Sequence, residues 1–134
     1  MGNIEVRVRL EPPSIRPNID REVAMSIELE SKSESEPYWC ECDVEVEPPL
    51  SLAPHKDLES GRKRLGIIKP KSGLSQRINI YADITSFPNN YTVKLITYVY
   101  DADGAISERL ETLSELRCGD ESTMQVSEPR DSND

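Results

Sequence analysis

The sequence predicts an all-β protein, a sandwich of about seven antiparallel strands, on three observations. Apolar and polar residues alternate with a period of two in successive short segments, the signature of strands with one buried face. Prolines punctuate the connections, and proline lacks the N–H that a central strand must donate. The stretch Asn90 to Gly104 carries apolar or aromatic groups on both sides of an extended backbone, as a strand with two neighbours would, and ends in the turn-forming Asp101-Ala102-Asp103-Gly104.

Ile4, Val6, Val8 and Leu10 alternate with Glu5, Arg7 and Arg9 and make the first strand. Pro12, Pro13 and Pro17 then bend the chain. The second strand sets Val23, Met25, Ile27 and Leu29 against polar neighbours, and the polar run Ser31 to Pro37 leaves it as a loop. From Tyr38 to Glu47 the alternation resumes. Tyr38, Cys40, Cys42, Val44 and Val46 turn one way, while Trp39, Glu41, Asp43, Glu45 and Glu47 turn the other. The cysteines act there as small core hydrophobes, behind a ladder of carboxylates and one indole. Pro48 and Pro49 end that strand, Leu50 to Gly61 reads as loop with a weak element, and Arg62 to Pro70 reads as a short edge strand. Ser75 to Ile84 places Ile78, Ile80, Ala82 and Ile84 on one face, and Phe87-Pro88-Asn89-Asn90 turns the chain into the central strand. Ala105 to Arg117 is ambiguous, because Ile106, Leu110, Leu113 and Leu116 have helical spacing. A tight turn nevertheless delivers it beside the central strand, so a strand is expected for at least its first half, with a helical C-terminal segment as the alternative. Residues 1–118 then form one domain, and 119–134 an acidic tail with too little apolar content to order itself.

The formal charge is −9, from 16 basic and 25 acidic side chains, which disfavours nucleic acid or an anionic membrane as partner. From Asp120 onward five acids stand against Arg130 alone. No apolar run approaches the ~20 residues of a membrane span, and no secretory signal pattern opens the chain. Three cysteines, two of them one residue apart on an extended segment, do not suit a disulfide framework. The expectation is a cytoplasmic protein with reduced thiols, unless the chain is an excised domain of a larger or surface protein.

Chemistry-bearing residues are few. Cys40, Cys42, Cys118 and His55 could supply soft metal ligands, but Cys-x-Cys fits a strand better than a zinc knuckle. No metal and no cofactor is expected, with a small metal-binding or thiol-active protein kept as an alternative. Asp101, Asp103 and Gly104 resemble a fragment of a calcium loop that lacks its later ligands, and read as a hairpin turn. No nucleophile and base stand in a recognisable arrangement, so catalysis is not expected. Binding is. Trp39 stands on the polar side of its strand, and tryptophan is enriched at binding hot spots. Tyr98 and Tyr100, with Ile96, need cover on the side of the central strand away from the core. Arg62, Lys63 and Arg64, with Lys69 and Lys71, form the basic cluster of the chain, placed either to bind an anionic partner or to neutralise the carboxylates after Trp39. An open edge at Arg62 to Pro70 or at Ala105 to Arg117 suits self-association. A carbohydrate-binding accessory module is a further alternative, weakened by the presence of only seven aromatic residues, with no evident pair of exposed rings.

The order of these segments carries a resemblance. Leu65-Gly66-Ile67-Ile68-Lys69-Pro70-Lys71-Ser72-Gly73, followed by Asn90-Tyr91-Thr92-Val93-Lys94-Leu95 and an Asp-Gly turn, resembles the immunoglobulin-like modules of the bacterial and archaeal cell-adhesion-related (CARDB-like) domain family over about residues 3 to 117. The resemblance implies an immunoglobulin-like β-sandwich with Tyr91 at a tyrosine corner. With the thin catalytic inventory, the expected role is a non-catalytic interaction or assembly module that meets a protein partner through a sheet edge or an exposed face.

Overall fold

Period-two segments joined by short polar turns can bury their apolar sides only by stacking one sheet on another. The computed structural model describes residues 3–16, 22–54, 56–82 and 89–119. Among these it forms β1 (Ile4–Glu11), β2 (Ser14–Ile15), β3 (Glu22–Ser31), β4 (Tyr38–Val46), β5 (Leu50–Ser51), β6 (Ser60–Ile68), β7 (Gly73–Ala82), β8 (Asn89–Tyr100) and β9 (Ile106–Cys118), and no helix. One sheet has the order β1-β3-β7-β5, the other β2-β9-β8-β4-β6. This is an all-β, immunoglobulin-like sandwich, with nine strands where about seven are expected from the sequence.

The two extra strands are two-residue pairings that alternation cannot reveal. Ser14–Ile15, inside the proline-rich bend, crosses to the second sheet and runs parallel to Arg117 and Cys118, and buries Ile15. Leu50–Ser51 pairs with Tyr81 and Ala82. The Ser51 hydroxyl holds the following loop by donating to the Lys56 carbonyl at 2.7 Å and accepting from the Leu58 N–H at 3.0 Å.

β8 is central, paired along its length with β4 on one side and β9 on the other. Tyr91, Val93, Leu95, Thr97 and Val99 turn inward with Cys40, Cys42, Val44 and Val46, and meet Val23, Met25, Ile27, Leu29 and Ile80 of the other sheet in a single core. Tyr91 is buried at the start of β8, where the sequence places a tyrosine corner. The hairpin from β8 to β9 closes as expected. The Asp101 carboxylate accepts from the N–H groups of Asp103 and Ala105, and Gly104 takes φ 82°, which glycine adopts without steric cost.

Two expectations change. β9 is strand from Ile106 to Cys118, so the helical C-terminal segment is not formed; twelve of its thirteen residues pair with β8, and the ladder outweighs helix propensity. The edge strand after the third long strand begins at Ser60 and ends at Ile68, and it stays beside β4 in the same sheet. Gly66 makes that pairing possible. It sits at φ 120° where the register of β4 and β6 shifts, so that Cys40 faces Gly66 while Glu41 faces Arg64. Asp83, Ile84, Phe87 and Pro88, His55, and the tail from Asp120 onward lie outside the described residues; Gly119 is described, and is buried.

Candidate interaction face of the five-stranded sheet

The two outward faces differ in kind. On the four-stranded sheet Glu5 faces Glu30, Arg7 faces Glu28, Arg9 faces Ser26 and Ser26 faces Arg77, a polar surface laced by exposed ion pairs. The five-stranded sheet carries an apolar row instead. Ile67 pairs with Trp39, Trp39 with Tyr100, and Tyr100 with Ile106, so four large side chains stand side by side across β6, β4, β8 and β9. Directly opposed residues share a face, and three strand spacings carry the row over roughly 14 Å. Its ends are open: Ile67 is 60% exposed and Ile106 57%, while Trp39 and Tyr100 are half-buried between them.

A charged cluster borders the row. Arg62 donates to both oxygens of Asp43, from Nε at 2.7 Å and Nη2 at 3.0 Å, and its Nη1 lies 3.6 Å from Glu41. The guanidinium stacks over the Tyr98 ring, 5.1 Å from the centroid. The Trp39 indole N–H donates to Glu41 at 2.7 Å, which fixes the ring against the carboxylate ladder. Hydrogen bonding from Arg62 holds the Asp43 carboxyl below its ordinary range, against the opposing effect of partial burial, with the Arg62 charge and a Tyr98 hydrogen bond adding to it. Asp43 reciprocally raises the Arg62 pKa. The basic cluster thus neutralises the carboxylates of β4 within one chain at Arg62, one of the two uses expected of it. Elsewhere it divides: Lys71 pairs with Glu34 at 2.9 Å, and Arg64 lies on the same face as Glu41 with no carboxylate at ion-pair distance among the described residues.

Of the residues singled out in the sequence, Trp39, Tyr98, Tyr100, Arg62 and Arg64 meet on this face. Lys63 does not, because it faces Cys42 on the opposite side of β6. Ile96, expected to need an external cover, is only 5% exposed, between Asp43 and Glu111 on the flanking strands, and Lys94 reaches Glu111 at 3.2 Å beside it. Neither Ile67 nor Ile106 is a binding candidate in the sequence alone. Their signal was an isoleucine on the polar side of an alternating strand, which becomes meaningful only once the register aligns them with Trp39.

The cysteines are free and buried, as expected of core residues. Burial, with Glu108 nearby, pushes the Cys40 thiol up to about 11; burial, with Asp43 nearby and against Lys63 and Arg62, pushes Cys42 up to about 11. Burial raises Cys118 as well. Among the described residues there is no group of three metal-ligating side chains and no helix long and apolar enough to cross a membrane.

No protein-family model matches the chain, and no curated protein matches it in sequence. In backbone shape it is similar to the sporulation control protein Spo0M from Bacillus subtilis, with a TM-score of 0.51 and 13% identity over 93% of this chain and 53% of that one. It is similar also to a family 123 glycoside hydrolase from Clostridium perfringens, with a TM-score of 0.51 and 11% identity over 86% of this chain and 27% of that one. The chain spans about half the length of the first and about a quarter of the second. At these identities the likeness is one of fold.

Proposed function

We propose that this chain is a non-catalytic interaction module of the cytoplasm that engages a protein partner through the outer face of its five-stranded sheet. The observation that carries the reading is the row Ile67, Trp39, Tyr100 and Ile106, aligned in register and open at both ends. A contiguous apolar patch rimmed by charge is what protein interfaces use, with an aromatic anchor at the centre and polar groups around it. Here the rim is Glu41, Asp43, Arg62, Arg64 and Arg109. Trp39 is the anchor, already held by Glu41, so little rotational freedom is lost when a partner covers it. The resemblance to cell-adhesion-related modules agrees in kind, since those are read as non-catalytic immunoglobulin-like units.

The test is affinity capture from the source cells with the parent chain, Trp39→Ala, Ile106→Asp and Arg9→Glu, the last placed on the polar sheet. Proteins retained by the parent and Arg9→Glu but lost with both face variants are expected, with Trp39→Ala weakening binding by about 30-fold or more for a hot-spot tryptophan. Retention of the same proteins by Trp39→Ala and Ile106→Asp would sink the reading.

A further inference from the structure

We propose that the groove between the open edges of β6 and β7 binds a short, extended acidic peptide segment of a protein partner. The groove lies on the flank of the sandwich and shares Arg62 with the charged border of the apolar row. Among the described residues β6 has no strand beyond it in its sheet, and the edge of β7 away from β3 pairs only with the two residues of β5 at its far end, so the two edges face each other with strand-pairing groups available. They are bridged where the Gln76 side-chain amide donates to the Leu65 carbonyl at 3.2 Å and where the turn Lys69 to Ser72 joins the two strands. Below that bridge they part around a groove of about 400 Å³.

Its lining combines two chemistries. Leu52, Leu58 and Ile78 supply apolar surface, and Arg62, Lys63 and Arg77 supply three cations, with no carboxylate side chain among the described lining residues. The charges are not fully spent. Arg62 is paired with Asp43, but Lys63 has no carboxylate at ion-pair distance among the described residues, and Arg77 reaches Glu11 only at 3.8 Å. In a chain of net charge −9, a locally cationic groove selects for anionic groups. The open edge and the apolar surface select further, for an extended backbone that adds a strand and seats alternate side chains in the groove. The negative charge elsewhere on the chain opposes a long polyanion, so the occupant is a short acidic strand and not a nucleic acid.

The experiment uses the full chain and a dye-labelled ten-residue peptide of alternating Val and Glu, with an alternating Val and Lys peptide as control, followed by fluorescence anisotropy and by amide chemical shifts. Binding of the Glu peptide alone is expected, weakening with salt, with shifts at Gly61 to Arg64 and at Ile78 to Tyr81. Lys63→Glu is expected to weaken it by at least about fivefold, as reversal of a partly exposed charge would. Lys63→Met and Arg77→Gln, which keep most of each side chain's bulk, give the same direction if Lys63→Glu folds poorly. The proposal is overturned if the Glu peptide does not bind, if both peptides bind alike, if the substitutions leave affinity unchanged, or if the shifts fall on Trp39 and Tyr100 instead. The last outcome would assign the peptide to the apolar row and leave the role of that face standing.

Discussion

Cys40 and Cys42 show how one side chain couples folding to solution conditions. Each thiol is buried, and its pKa rises from 9.0 to about 11, because a thiolate would lose its hydration in the core. Between those two values the folded chain retains protons that the unfolded chain releases, so stability falls as pH rises. The increment is fully present below pH 9 and is lost through about pH 11, on the order of 2 kcal/mol for each thiol. Urea unfolding followed from pH 8 to 11 should therefore show a decline that is shallower in a Cys40→Ala, Cys42→Ala double variant. Equal declines would show that other groups cause it. The burial of these residues was legible in the sequence, since both fall on the apolar parity of their strand. What the sequence left open was which distant charges stand near them: Glu108 of β9 reaches Cys40, and Lys63 and Arg62 of β6 reach Cys42, only through the fold, whereas Asp43 is the chain neighbour of Cys42. Arg62 makes the same point. Its positive charge and its neighbours Lys63 and Arg64 were plain, but alternation sends Arg62 toward Asp43 and Tyr98 and Lys63 toward the flank of the sandwich.

At the scale of elements, β9 is the strand whose sequence argues for the wrong structure. Leu110, Leu113 and Leu116 recur at intervals of three, as on a helix, yet only alternate positions turn inward: Leu116 is fully buried and Leu113 is 64% exposed. On a helical stripe the two would be buried together, so a pair of substitutions separates the structures. Leu116→Ala is expected to cost about 2–5 kcal/mol, and Leu113→Ala no more than about 0.5, by urea unfolding. Comparable losses would favour the helix. β6 depends on a different kind of residue. Gly66 holds φ 120° at the register shift, and the space for a methyl is free, since an added Cβ would meet Leu74 no closer than 3.8 Å. Strain alone therefore sets the effect of Gly66→Ala, about 1–3 kcal/mol of destabilisation, measurable in the same assay. A change near zero would mean that the bulge relaxes. The boundaries of the long strands were readable because period-two alternation persists for eight or more residues; β2 and β5 were not, because a two-residue pairing has no period.

For the whole molecule, the two sheets share one core in which residues of β1, β3, β4, β7, β8 and β9 are buried together. A single cooperative unfolding transition is expected for such a unit, with a urea m-value of roughly 1–3 kcal/mol/M, coincident by circular dichroism and by Trp39 fluorescence. Separate transitions would mean that the sheets unfold independently. The sequence by itself determined the all-β class, the inward parity of each long strand, the centrality of the strand from Asn90 to Tyr100 and the thin catalytic inventory, since alternation and turn chemistry act over a few residues. Only the tertiary structure decided register, and register decides the surface. It set Ile67, Trp39, Tyr100 and Ile106 in one row, placed Arg62 over Tyr98, and faced β6 across a groove from β7. The physical reason is that pairing partners are fixed by long-range burial. A shift of one residue would send every side chain of a strand to its other face, and no local pattern records which strand lies alongside.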